Sequence, residues 1–226
     1  MKTRIFTILF LVLCVLGFSQ NNESNYPNFI GLNIESVKNN LDWEILQNAT
    51  GDLNKDGFED YSLIIESKDS VLEKRCSDCF LLKNKARILL VFLNKDGEKK
   101  VTIQNNRFIA RGDEGGMANY IEPELSIENQ LLTIYYQFTR SNQSYTFGFR
   151  NDQMEIVRAE SNGVESWSGN FESDKYDFIK NVITSEIGNI SQDKVKTEII
   201  KINSKPKTLS EFGEMYDWEI AENKYL

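Results

Sequence analysis

The chain has 226 residues, with 34 acidic against 26 basic side chains, a formal net charge of −8 and no histidine. An acidic chain has no electrostatic reason to seek phosphate backbones or anionic lipid, which argues against nucleic acid as a partner. The missing histidine rules out a Ser-His-Asp triad and a histidine metal site, and removes the usual general base.

The chain opens Met1-Lys2-Thr3-Arg4, runs apolar over residues 5–16 and then reaches Gly17-Phe18-Ser19-Gln20. A basic start, a short apolar core and small residues before the cut predict a signal peptide over residues 1–19. The apolar run falls short of the ~20 residues needed to span a bilayer. Cys14 lies inside this segment behind Leu13, where a lipobox wants a small residue, and is discarded with it. The Phe-Ser-Gln ending resembles export signals of Bacteroidetes-type bacteria, which implies a periplasmic or extracellular protein with no membrane span after cleavage. Residues 20–226 are then expected to form a single β-rich globular domain, mainly β in an α+β sense. That domain is an antiparallel meander sheet with a short N-terminal and a short C-terminal helix.

Residues 21–27 are polar and read as a loose N-terminal stretch. Asn33 caps a predicted helix running to Leu41, with Ile34, Val37 and Leu41 on one face. Residues 43–46 either end that helix or begin a strand.

The next segment, Gly51-Asp52-Leu53-Asn54-Lys55-Asp56-Gly57-Phe58-Glu59-Asp60, carries the most specific chemistry in the chain. Asp52, Asn54, Asp56 and Asp60 stand at relative positions 1, 3, 5 and 9, with Gly57 at position 6 for the sharp turn. Calcium takes six to eight oxygens at about 2.3–2.6 Å, and side chains so spaced on a coiling loop can converge on one such ion. Phe58 would add its carbonyl oxygen. An EF-hand would end in a bidentate Glu at position 12, but Leu63 stands there, so Asp60 must close the site and the chain leaves as a strand. The bland alternative is that Asp and Asn simply supply turn-forming side chains. The segment resembles the calcium loops of FG-GAP and integrin-type propeller repeats. A propeller needs several copies. The one echo here, Asn94-Lys95-Asp96-Gly97, has Phe92 and Lys100 where Asp52 and Asp60 stand, and is expected to be a hairpin turn.

From residue 61 the apolar period becomes two, Leu63 and Ile65 facing one way and Ser62, Ile64 and Glu66 the other. Cys76 and Cys79 are the two cysteines left after the signal. In an exported protein they read as a short-loop disulfide, with free thiols or a redox pair as alternatives. A zinc site lacks ligands. Residues 87–93 are apolar on both faces and predict a central strand covered on both sides. Val101 and Ile103 lie on the return strand. Residues 111–124 read as a long loop containing Gly115-Gly116, either a connector or a partner-binding segment. Its Arg111-Gly112-Asp113 tripeptide is too short a signal to imply adhesion.

A meander follows, with strands at 131–138, 145–149 and 154–159 and turns at 140–143 and 151–152. Tyr145, Phe147 and Phe149 are expected to be core packing rather than a ligand platform. Residues 162–174 read as a polar loop holding Trp167. Tyr176, Phe178, Lys180 and Val182 alternate on one strand, and 195–202 form the last. Thr208-Leu209-Ser210-Glu211 is a capping box opening a short helix, and Trp218 and Tyr225 suggest that the tail docks on the body.

The order of these features resembles a group of exported bacterial proteins. They carry one Gly-Asp-Leu-Asn-x-Asp-Gly loop, an apolar strand like Arg87-Ile88-Leu89-Leu90-Val91, a Gly-Gly loop and a Phe-x-Phe-Arg strand like Phe147-Gly148-Phe149-Arg150. The resemblance implies no activity. The expected function is a non-catalytic binding module for a protein or glycan partner, scaffolded by calcium at Asp52, Asn54, Asp56, Phe58 and Asp60. A periplasmic inhibitor or immunity-type protein is the alternative, and a carboxylate-based hydrolase of glycans a further one.

Overall fold

The computed structural model describes residues 26–75, 80–95, 97–114 and 120–226. The signal segment, Cys76, Cys79 and the Gly115-Gly116 pair lie outside the described residues. The fold is mainly β and antiparallel, with very little helix.

The helix α1 spans Ile34–Lys38, capped by Asn33, whose side chain accepts from Ser36 N at 2.9 Å. It ends three residues before the predicted Leu41. Leu41 is 83% exposed while Val37 is buried, so one short turn is all that packs. Residues 43–46 resolve as strand. β1 (Trp43–Gly51) pairs with β2 (Asp60–Ser67) in a hairpin whose final rung is Gly51↔Asp60, so the connecting segment is the predicted cation loop itself. β2 pairs with β5 (Arg87–Lys95) and β5 with β6 (Glu98–Asn105), giving a four-stranded sheet in the order β1-β2-β5-β6. A small hairpin of β3 (Val71–Glu73) and β4 (Leu82–Asn84), not legible as strands in the sequence, bridges β2 and β5. The Asn94–Gly97 echo is a hairpin corner, with Lys95 opposite Glu98 and Gly97 at φ +87°.

The second sheet is a seven-stranded meander. Its strands are β7 (Glu124–Glu128), β8 (Leu131–Gln137), β9 (Ser141–Arg150), β10 (Gln153–Val164), β11 (Asn170–Asp177), β12 (Val182–Asn189) and β13 (Val195–Lys201). Asn129-Gln130 and Asn151-Asp152 each hold two consecutive positive φ values, the two-residue hairpin geometry whose twist suits antiparallel strands. Three expectations change here. Residues 141–143 belong to β9 rather than to a turn. The polar stretch 162–174 is mostly the ends of β10 and β11, its Asn and Ser side chains bonded across the sheet, as in Asn162 Nδ2 to Asn142 Oδ1 at 2.8 Å. Residues 176–182 are not one strand, because the chain turns through Asn181 (φ 56°) between β11 and β12.

Both faces of the four-stranded sheet are covered. Leu63, Ile65, Ile88, Leu90 and Phe92 pack under Phe29 and Val37 of the N-terminal segment. Ile64, Leu89 and Val91 face the meander, where Leu132, Ile134, Tyr145, Phe147 and Ile156 complete the main core. The apolar-on-both-sides reading of residues 87–93 thus matches a strand with Ile88–Phe92 fully buried. The aromatic stripe is likewise core, with Tyr145 and Phe147 at 0% exposure and Phe108 edge-on to both. The 3-10 turn η1 (Leu209–Glu211) keeps the capping interaction, Glu211 accepting from Thr208 N at 2.9 Å. The tail does dock, through Trp218 stacked on Phe178 and through the hairpin of β14 (Glu219–Ala221) and β15 (Lys224–Tyr225). Its inward groups are Lys224 and Leu226, while Tyr225 points outward. No helix among the described residues is long and apolar enough to cross a membrane.

Candidate functional site

The Gly51–Asp60 loop is built on side chains that fold back over their own backbone. Asp52 accepts from Lys55 N at 2.7 Å with one oxygen and from Gly57 N at 3.1 Å with the other. Asn54 Oδ1 accepts from Asp56 N at 3.1 Å and its amide donates to Asp56 Oδ2 at 2.8 Å, while Asp56 Oδ1 accepts from Phe58 N at 2.8 Å. Gly57 (φ 84°) and Lys55 (φ 65°) supply the left-handed backbone that the coil needs.

Asp60 differs from the others because it has no exposed surface. Its Oδ2 accepts from Leu53 N and its Oδ1 from Asn94 N, both at 2.9 Å, so one carboxylate ties the loop to the end of β5. Burial pushes its carboxyl above the usual range. The two N–H donors oppose this, and the charges of Asp56 and Asp52 add to the rise. Among the described residues no group of three or more Asp, Glu, His or Cys side chains is gathered so as to hold a metal. The predicted set also draws on the amide oxygen of Asn54 and the carbonyl of Phe58. By type the donors fit a hard cation, being all oxygen and carrying three negative charges.

A second polar assembly lies at the start of β5. Arg87 and Arg111 are both fully buried. Arg87 donates to Glu66 at 2.8 Å and to the carbonyls of Ala110 and Ile121, with the ring of Tyr120 5.0 Å from its guanidinium. Arg111 grips both oxygens of Glu73, at 2.7 and 2.9 Å, and donates to the carbonyls of Arg87, Ile109 and Asn106. Residues 111–114 and 120–123 lie in no helix or strand, in keeping with the long-loop reading, but Arg111 at its start is fully buried, so the tripeptide beginning there cannot present its arginine to a partner. The signal was a charge at each end of an apolar run: Glu66 closes residues 63–65, Arg87 opens 88–93, and the two are cross-strand partners.

Beside this network an open cleft of about 680 Å³ lies where the β8–β9 and β10–β11 hairpins meet the segment after η1. Its most buried members are Ala110 and Arg75. Arg75 is ion-paired to Glu114 through Nη1 and lies 3.2 Å from Glu214 through Nε. The walls carry Trp167, 88% exposed at a hairpin tip, and Tyr216, 55% exposed on a backbone at φ 66°. Sequence reading placed Trp167 in a loop and gave it no role, and it passed over Tyr216.

No family model, no curated protein and no solved structure matches the chain.

Proposed function

We propose that the protein is an exported, non-catalytic recognition module in which a calcium ion at the Gly51–Asp60 loop serves as scaffolding. The observation that carries this is Asp60, a fully buried carboxylate shared between the loop and the end of β5, with two more aspartates pressing their charge on it. A divalent cation held by Asp52, Asn54, Asp56, Phe58 and Asp60 offsets that repulsion and stiffens the joint between β1, β2 and β5. Export is supported by the signal-type N-terminus. The non-catalytic part is supported by the absence of histidine and by the engagement of Glu114 and Glu214 with one guanidinium.

The test is a thermal melt with calcium and then with chelator. At a hundredfold excess over the dissociation constant, bound calcium stabilises by about 2.7 kcal/mol, a rise of roughly 5–10 °C for a chain of this size. The Asp52→Ala/Asp56→Ala variant should lose the rise. A midpoint that ignores calcium overturns the scaffold reading.

A further inference from the structure

We propose that the cleft between Trp167 and Tyr216 is a binding site for neutral oligosaccharide chains. The inference rests on the recognition-module reading and names its ligand.

Two features set this cleft apart from an ordinary gap between hairpins. The first is its aromatic walls. Trp167 presents almost its whole indole to solvent at the tip between β10 and β11, and Tyr216 stands half-exposed on a left-handed backbone that a bulky residue rarely adopts. Such strain persists only where surrounding structure holds it, and it gathers at ligand clamps. Rings of this kind offer a flat apolar face to the C–H face of a pyranose, and the Tyr216 ring is held by a hydrogen bond to the buried Gln143. The second is a polar floor already fixed before any ligand arrives. Arg75 is 9% exposed and is held by Glu114, by the carbonyl of Arg107 and by Glu214. Its Nε and Glu214 Oε1 are buried and make no well-formed hydrogen bond. Glu114 and Glu214 keep exposed area facing the cleft, and carboxylates so anchored accept from sugar hydroxyls without a further loss of side-chain freedom.

Charge decides the class of sugar. The lining holds Glu114, Glu165 and Glu214 against Arg75 and Arg140, and Arg75 is already paired. With the chain's net charge of −8, nothing favours a uronate, sialate or phosphate. A peptide anchors through side chains in deep apolar holes, but here the deepest groups are a guanidinium and one alanine methyl. The volume is within the range of small-ligand clefts and suits a short run of rings.

The experiment is calorimetric titration of the purified protein with cellohexaose, laminarihexaose, mannohexaose and chitohexaose, with hexagalacturonate as the anionic arm and a casein digest as the peptide arm. Saturable binding of a neutral hexasaccharide is expected, with hexagalacturonate at least ~tenfold weaker. Trp167→Ala should weaken it at least ~tenfold, and Tyr216→Ala similarly. Melting curves check that each variant is folded, and the exposed position of Trp167 keeps that arm usable if Tyr216→Ala is unstable. Binding that survives Trp167→Ala, preference for the anion or the peptides, or no binding by any neutral sugar overturns the proposal. The calcium melt stands apart from these outcomes: it tests the scaffold, and the titration tests the cleft.

Discussion

Asp60 holds two jobs that its spacing alone did not separate. As the ninth position of a cation loop it is a candidate ligand, and as a buried acceptor for Leu53 N and Asn94 N it is a latch between loop and strand. Asp60→Ala leaves both N–H groups without partners, which costs about 2–4 kcal/mol even with calcium chelated. Urea unfolding in chelator measures it, and an unchanged midpoint would mean that the latch contributes nothing. Glu73 makes a different prediction. Its burial alone would raise the carboxyl, but the hydrogen bond and charge of Arg111, with Tyr26 and Arg75, outweigh that and hold it below the usual range. A carboxyl lowered in the folded state contributes stability that is present above its unfolded value of ~4.3 and is lost as pH falls through the folded value. The melting temperature should therefore fall from about pH 4.5 downward, and this part of the fall should be absent in Glu73→Gln. Because Glu73→Gln leaves Arg111 buried with its partner's charge removed and one of its two acceptor oxygens lost, the variant should also lose about 3–5 kcal/mol at neutral pH.

The two sheets meet where β1 lies against β7, and the contact there is tight. A methyl added at Gly51 would sit 2.5 Å from Ile127 Cγ2 and 3.1 Å from its Cβ, which no side-chain rotation relieves. Gly51→Ala should cost about 1–3 kcal/mol through overpacking, read as a lower urea midpoint with an unchanged slope. At this scale the sequence is legible wherever one face is apolar. The alternation of residues 61–66 and the doubly apolar run 87–93 each predicted a strand, and the second predicted its burial on both faces. It is not legible where strands are polar on the outward face and bonded through side chains. Asn142, Asn162 and Ser173 pair across three strands by hydrogen bonds and carry no hydrophobic period, so β9, β10 and β11 each extend past their expected ends. The loop was readable because Asp and Asn side chains that bond back to the backbone, with a glycine at the left-handed position, fix residue type and spacing within ten positions. The cleft was not, because Arg75, Glu114, Trp167 and Glu214 are brought together by topology alone.

The direction of the meander separates the two sites. The β7–β8, β9–β10 and β11–β12 turns emerge at one end of the large sheet. Asn129, Arg150 and Ile179 of those turns line a small hollow with Asn54 and Lys55 of the cation loop. The β8–β9 and β10–β11 turns emerge at the opposite end, where Phe138, Arg140 and Trp167 line the cleft. Along β10, Val157 of the hollow and Val164 of the cleft are seven residues apart, which separates the two linings by about 23 Å along the sheet. Charges that far apart in solvent are screened, and the intervening core is packed from Leu132 to Ile183. Removing calcium at a temperature well below the melt should thus lower the midpoint while leaving hexasaccharide affinity within about twofold. Calorimetry in chelator, run beside the calcium-loaded protein, decides it. A loss of affinity in step with calcium would mean that the ion shapes the far end of the sheet, and that the loop is part of the recognition surface rather than its support.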